Sequence, residues 1–301
     1  MRIILFITIT LVTTQCTLKP GPPTSFRYPE PQPDSVVIPF LPGIVNGDSL
    51  DFNAAFSPDG KHFYFSRSNQ GKWMIYRTER NESTWNKPVL APFTEKEYSQ
   101  ADPFFTCDGT LYYISNRPRH ARDTVSDYDI WFVRPQDDGS WTAPENLEAV
   151  NSDSTEYYVS LSTNGNIYFA SNRIGTLGSH DIYVSRYING LYTTPENLGP
   201  AINSQQMEHD PMISPDEQHL IFTSVGRADS YGSGDLYYTS RKSDGTWAPA
   251  RNMGNKFNTE SYEYCTYLTP DNQYVFYSTD YDVKWISARY LPWNIHPEVT
   301  K

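Results

Sequence analysis

The chain has 301 residues, with 35 acidic against 24 basic side chains, a formal charge of -11, and 38% hydrophobic and 15% aromatic content. The acidic balance excludes the basic face that nucleic-acid binding demands, and the apolar content suffices for a large core of its own. A basic peptide, a cation or a neutral sugar are all compatible partners, and composition selects none of them.

Residues 1–15 read as an export signal: Arg2 is followed by an apolar run, Ile3 to Val12, of about ten residues, too short for a span of ~20. Thr13-Thr14-Gln15-Cys16 comes next. The run resembles a bacterial lipoprotein signal, which implies cleavage before Cys16 and lipidation of that residue; the plain alternative is an ordinary secretory signal. Either predicts export. Residues 16–35 are dense in proline and read as an extended tether. No acidic cluster follows Cys16, which by the same resemblance favours an outer-membrane lipoprotein facing the periplasm, in contact with the membrane through its lipid alone.

Residues 36–301 read as one all-β domain. Val36 to Asn46 matches the end of a repeat rather than its start, since Leu41 to Asn46 keeps the spacing of Leu198 to Asn203 and Met253 to Asn258. Five turns follow: Ser57-Pro58-Asp59-Gly60, Thr106-Cys107-Asp108-Gly109, Ser162-Thr163-Asn164-Gly165, Ser214-Pro215-Asp216-Glu217 and Thr269-Pro270-Asp271-Asn272. Their third residues are 49, 56, 52 and 55 apart, a period that marks one supersecondary unit per copy. A third-strand marker recurs as Trp73-Met74-Ile75-Tyr76, Asp129-Ile130-Trp131, Asp181-Ile182-Tyr183, Asp235-Leu236-Tyr237 and Lys284-Trp285-Ile286. An aromatic-to-proline marker recurs from Trp85, Trp141, Tyr192 and Trp247. Short aromatic and β-branched runs closed by Pro, Asp and Gly are strands joined by hairpins. The spacing therefore predicts a β-propeller of five four-stranded antiparallel blades. The N-terminal strand is expected to close the ring and remove its free edges. Six blades is the alternative, if Leu291-Pro292-Trp293 and the residues after it add more than a latch.

The turns, Ser115-Asn116-Arg117, Ser171-Asn172-Arg173 and Gly178-Ser179-His180-Asp181-Ile182-Tyr183 resemble the WD40-like propeller repeats of the TolB family, over about Val36 to Arg289. The resemblance implies a monomeric periplasmic scaffold that binds a protein segment at its channel mouth. Related repeats also occur in sugar-active enzymes, so fold does not decide function.

The repeats locate a candidate ligand-binding site. Six residues before each turn stand Asp51, Gln100, Glu156, Glu208 and Glu263; two further on stand Asn53, Asp102, Tyr158, Asp210 and Cys265. Inner strands line a propeller channel and residues two apart share a face, which predicts two acidic layers forming a funnel, with His209 and Tyr262 beside it. One reading of the first layer is a mouth for a cation or basic peptide. The other is a repeated carboxylate that accepts backbone N–H bonds in the loop before each strand. The irregular second layer is where specificity is expected. Tyr157, Tyr158, Tyr262 and Tyr264 could stack on a peptide or a sugar, about half of them pointing between blades.

A carbohydrate-active enzyme, glycoside hydrolase or polysaccharide lyase, is the competing reading, with Asp102, Glu208, Asp210 and Glu263 as catalytic carboxylates, since hydrolysis needs an acid and a base about 5–9.5 Å apart. The six histidines are scattered, which argues against a transition-metal site and leaves room only for oxygen-ligated Ca2+; no other cofactor is expected. Cys107 and Cys265 fall at opposite levels of their blades and are expected unbridged to each other and buried.

Overall fold

The computed structural model describes residues 26–82, 84–121 and 126–294. The signal segment, Cys16 and the chain after residue 294 lie outside the described residues. Five four-stranded antiparallel sheets are present. Their inner strands are Asp51–Phe56, Gln100–Phe105, Glu156–Leu161, Met207–Ile213 and Tyr264–Leu268, each followed outward by three more. The fourth strand of blade five is Ile38–Pro39, which pairs with Asp282–Ser287 and so closes the ring with chain from the other end of the domain. The C-terminal segment turns into a short 3-10 helix, Ala288–Tyr290, rather than a strand, and Trp293 stacks on His219 at 4.4 Å. Among the described residues the blades number five, and the sixth-blade alternative fails because this segment packs as a turn against blades four and five.

The match of Val36 to Asn46 with a repeat end has a visible cause. Asn151, Asn203 and Asn258 each hold both backbone groups of one third-strand residue in their own blade, Ile130, Ile182 and Leu236. Asn46 does the same for Val283 in blade five, donating at 2.8 Å and accepting at 2.8 Å. A side-chain amide carries one donor side and one acceptor side, so a single Asn satisfies a strand edge where the ladder ends.

Blades are stitched to one another through the backbone. The N–H groups of Asp51, Glu156, Glu208 and Glu263 donate to the carbonyls of Tyr281, Tyr128, His180 and Gly234 in the preceding blade, at 2.7–3.0 Å. Between sheets aliphatic and aromatic side chains pack together, and at the closing seam the contacts are mostly aromatic. Phe40, on the latch, lies 4.6 Å from Phe63, 4.9 Å from Phe276 and 5.3 Å from Trp285, joining blades one and five in a single core cluster.

The proline-rich stretch does not run free of the domain along its whole length. From Phe26 it lies on the seam between blades five and one, where Tyr28 packs 4.6 Å from Tyr274 and donates to Asp271 at 2.8 Å, and the Tyr274 hydroxyl donates to Gln32 at 2.6 Å. The aromatic residues inside a proline-dense composition supply the burial that prolines alone lack.

Each inner strand breaks its pairing at one place, between Phe52 and Ala55, Ala101 and Phe104, Tyr157 and Val159, His209 and Met212, and Tyr264 and Tyr267. The bulged residues, Asn53, Asp102, Tyr158, Asp210 and Cys265, all have positive φ, between 46° and 64°. An extra residue in one strand ends the simple two-residue alternation. The first and second acidic layers therefore do not share a face.

The Phe40 side chain adds apolar packing to the hydrogen bonds that hold the latch on blade five. Phe40→Ala is expected to cost about 3–5 kcal/mol, read as a lowered urea midpoint at unchanged m-value.

Candidate site at the axial mouth

The first layer faces the walls. Asp51, Gln100, Glu156, Glu208 and Glu263 are all 0% exposed. Glu156 accepts from the backbone N–H of Ser152, the hydroxyls of Ser152 and Ser171, and Arg173 at 2.8 Å. Glu208 repeats the pattern with Ser204, Ser224 and Arg227, and Glu263 with Thr259 and Thr279. Asp51 is held by Arg67 at 2.5 Å. Burial pushes the Asp51 and Glu156 carboxyls up in spite of their arginines. In blade two, Gln100 donates to the Glu95 carbonyl and Arg117 pairs with Glu95 instead. The arginines themselves lie over rings, Arg173 on Phe169 and Tyr183, Arg227 on Phe222 and Tyr237. These carboxylates close the loop that enters each inner strand, and no oxygen of theirs opens to the channel. The funnel expected from two acidic layers contracts to the second.

Asp181 and Asp235, before the third strands, are closed in the same way. Asp235 accepts from the N–H groups of Tyr231 and Gly232 and from Asn252. Asp181 accepts from Leu177 and Gly178. A Cβ on Gly178 would stand 1.6 Å from the Gln206 carbonyl, so the glycine of this motif is required by the approach of the next blade.

The second layer meets at the axis. The Cys265 thiol lies 3.3 Å from an Asp210 oxygen and 3.7 Å from an Asp102 oxygen, so the carboxyls of blades two and four flank one sulfur. Asp210 also accepts from the Cys265 backbone N–H at 3.0 Å. Its other oxygen is 3.0 Å from His209 Nδ1, and His209 Nε2 is 2.6 Å from the Tyr262 hydroxyl. Tyr158 crosses from blade three and donates to the Thr266 carbonyl at 2.6 Å, closing the channel. Asn53 completes the layer from blade one at 1% exposure, and its Oδ1 has no hydrogen-bond partner.

Proton affinities of the two aspartates are driven apart. Burial, with the charge of Asp210 beside it, raises the Asp102 carboxyl well above the usual range. Burial acts on Asp210 too, but the His209 imidazole and the donors of Cys265 outweigh it and hold that carboxyl below its ordinary value. Two carboxylates so close cannot both ionise cheaply; the one with the donors keeps the charge, and Asp102 keeps the proton. Burial and both aspartates push the Cys265 thiol up, which keeps it protonated.

Above this layer runs a collar of rings. Trp73 lies 5.6 Å from Phe52 and 5.4 Å from Tyr128, which is 5.5 Å from Tyr157; on the other side Tyr264 is 6.0 Å from Phe52 and 5.6 Å from Tyr262. Tyr262 occupies the space a side chain would take at Gly234, since a Cβ there would be 2.8 Å from its ring. Trp73 and Tyr128 were not singled out for the site in the sequence; their shared place just before or at the opening of the third strand was the signal.

Among the described residues no group of three or more His, Cys, Asp or Glu side chains is arranged to hold a metal ion, and the calcium expectation gains no support from geometry. Cys265 is buried and unbridged, as expected, whereas Cys107 is exposed in its turn.

No family model and no curated protein matches the chain. Among solved structures it is similar to a thermostable family-43 glycoside hydrolase, at 12% identity over 86% of this chain and 91% of that one, with a TM-score of 0.52. It is similar to the Kuenenia stuttgartiensis hydrazine synthase, at 13% identity over 77% of this chain and 36% of that one, with a TM-score of 0.51. It is also similar to TolB from Acinetobacter baumannii, at 13% identity over 79% of this chain and 54% of that one, with a TM-score of 0.49. The chain thus spans about half of the TolB chain and about a third of the hydrazine synthase chain. The likenesses to the glycoside hydrolase and the hydrazine synthase show the fold alone, a β-propeller that serves proteins of unrelated activity.

Two outcomes test the site's electrostatics. Because the folded Asp102 carboxyl lies above its unfolded value, the stability that Asp102 contributes is full below about pH 4 and is lost as pH rises toward the folded value. Asp102→Asn is therefore expected to gain about 1.4 kcal/mol on wild type for each pH unit above about pH 4 until the folded carboxyl titrates, read from urea titrations at stepped pH. Arg227→Met strands the enclosed Glu208 and is expected to cost about 3 kcal/mol, read the same way at neutral pH.

Proposed function

We propose that the protein is an exported, non-catalytic binding module that takes a cationic group of a protein segment into the axial mouth. The observation that carries this reading is the convergence of Asp102 and Asp210, from blades two and four, on one point beneath the aromatic collar. An ionised carboxylate beside a carboxyl that holds its proton is a place where a ligand cation can take that proton's role. Rings around it add cation–π attraction of about 0.5–2 kcal/mol. The chain's charge of -11 favours approach of a positive partner.

The face around the mouth suits a protein rather than a free ion. Ile174, Leu177, Tyr231 and Tyr281 stand on the loops between second and third strands, at the same end as the collar, and are 103%, 51%, 53% and 67% exposed. Apolar side chains gathered on one face mark a contact surface, and a segment reaching the axis would cover them. Export to the envelope, lipidation at Cys16 and a periplasm-facing outer-membrane position are supported by the sequence of residues 1–16.

A second reading, glycoside hydrolysis, is favoured by one observation: the opposed proton affinities of Asp102 and Asp210 suit an acid and a base. Against it, the oxygens of Asp210 are engaged by His209 and Cys265, and Glu208 and Glu263 are enclosed in the walls.

Calorimetric titration with short peptides that differ by one basic residue decides between the readings. Basic peptides are expected to bind and neutral ones not, with Asp210→Asn weakening binding at least tenfold in a protein that is less stable but still unfolds cooperatively in urea. Release of reducing sugar from a polysaccharide panel, lost in Asp102→Asn, would instead assign the site to hydrolysis.

A further inference from the structure

Asn53 is the residue the proposed function leaves unused. It holds in blade one the left-handed bulge position that Asp102 and Asp210 hold in blades two and four, with φ of 64° against 56° and 52°. Its backbone N–H is taken by the Ser278 hydroxyl at 3.0 Å, which fixes the residue against blade five. Its Oδ1 is enclosed and unpartnered. A buried oxygen without a donor is rare in a folded protein and needs an explanation. Here the explanation lies in the layer as a whole: Asn53 stands in blade one at the bulge from which Asp102 and Asp210 reach the Cys265 sulfur, and the side-chain donors on those aspartates, the weak Cys265 thiol for both and His209 for Asp210, leave Oδ1 without one.

We infer that the axial layer is a receptor for a primary ammonium group, with Asp102, Asp210 and the Asn53 Oδ1 each accepting one of its three N–H bonds. The inference rests on the cation-binding reading above and narrows it to one chemical class. A primary ammonium has three donors and no acceptor, which matches three oxygens about an axis. A guanidinium is a planar fork that favours two parallel bonds to one carboxylate, and Asp210 already spends an oxygen on His209. A quaternary ammonium satisfies the charge and the rings but has no N–H, so it leaves Oδ1 as orphaned as before. The collar of Trp73, Tyr128, Tyr157 and Tyr264 would surround the methylenes next to the nitrogen. Two sources offer this group on a protein segment: a lysine side chain, or the free amino terminus of a chain.

Calorimetric titration of the purified full chain with n-butylammonium, n-butylguanidinium, tetramethylammonium and n-butanol tests the inference. The expected result is n-butylammonium at least tenfold tighter than the other two cations, with n-butanol unbound. In Asn53→Gly, which keeps the left-handed backbone, the preference is expected to fall to within twofold; Asn53→Asp, which keeps an acceptor oxygen, retains it and serves if the glycine variant does not fold. An amino-terminally acetylated peptide with one internal lysine, compared with a lysine-free peptide bearing a free amino terminus, separates the two sources by which of them binds. Equal binding of all three cations would overturn ammonium selectivity while leaving the cation site in place. Binding of n-butanol as tight as that of n-butylammonium, or of none of the probes, would overturn both.

Discussion

Everything at the mouth depends on one backbone feature, the left-handed bulge that interrupts each inner strand. Without it, residues two apart along Asp51–Phe56 and its equivalents would point the same way, and ten side chains would crowd the channel. With it, the carboxylate at the start of the strand turns into the wall while the bulged residue turns to the axis. A left-handed residue other than glycine costs of order 1–3 kcal/mol, less for Asn and Asp than for others. Tyr158 and Cys265 occupy it nonetheless, held by the Tyr158 bond to Thr266 and the Cys265 bond to Asp210. Strain repeated five times around one axis, and tolerated in unfavourable residue types, persists because the ladders on either side over-determine it.

The walls solve a different problem with similar residues. A carboxylate removed from water is tolerable only when its charge and lone pairs are met. In blades three and four, one arginine, two hydroxyls and a backbone N–H meet them, and in blade five two hydroxyls and a backbone N–H do. Each such cluster ties the loop before an inner strand to the second strand of the same blade, next to the backbone bond that joins it to the blade before. Local satisfaction and ring closure are thus the same structure seen at two scales. At the axis, satisfaction is incomplete: Asp102 has a thiol, Asn53 Oδ1 has nothing, and Asp210 has nearly all it can use. That contrast, rather than the number of acidic residues, separates scaffold from site.

The same contrast orders the functional readings. A binding module needs an unsatisfied but shielded group within reach of a partner, and an apolar rim to seat it. A hydrolase needs two carboxyls free to exchange protons with substrate and water. Asp210 is fixed by His209, which is fixed in turn by Tyr262, and a carboxylate held so firmly is better suited to holding a charge than to passing a proton. Likeness of fold to a glycoside hydrolase, at 12% identity, leaves the choice to these side chains.

Much of the architecture was legible in the chain. Turns such as Ser57-Pro58-Asp59-Gly60 recur because a hairpin end needs residues that accept its backbone geometry, and that need is local. The repeat end at Leu41 to Asn46 was legible because Asn46 does the same local work in a latch that Asn203 does in a blade. Five copies with an orphan end therefore predicted a closed five-bladed ring, and the turn at Ala288–Tyr290 removed the six-bladed alternative. Spacing also found the residues of the axial layer, including His209, Asp210 and Tyr262, but it could not tell wall from axis, because the bulge arises from pairing between strands and leaves no mark in a two-residue alternation. Sequence alone set the repeats and the orphan strand that closes them, since these follow from short-range chemistry; that five blades close the ring, and which carboxylate is spent in the wall and which reaches the axis, was decided only in the assembled ring, since closure, burial and partnering are properties of the whole.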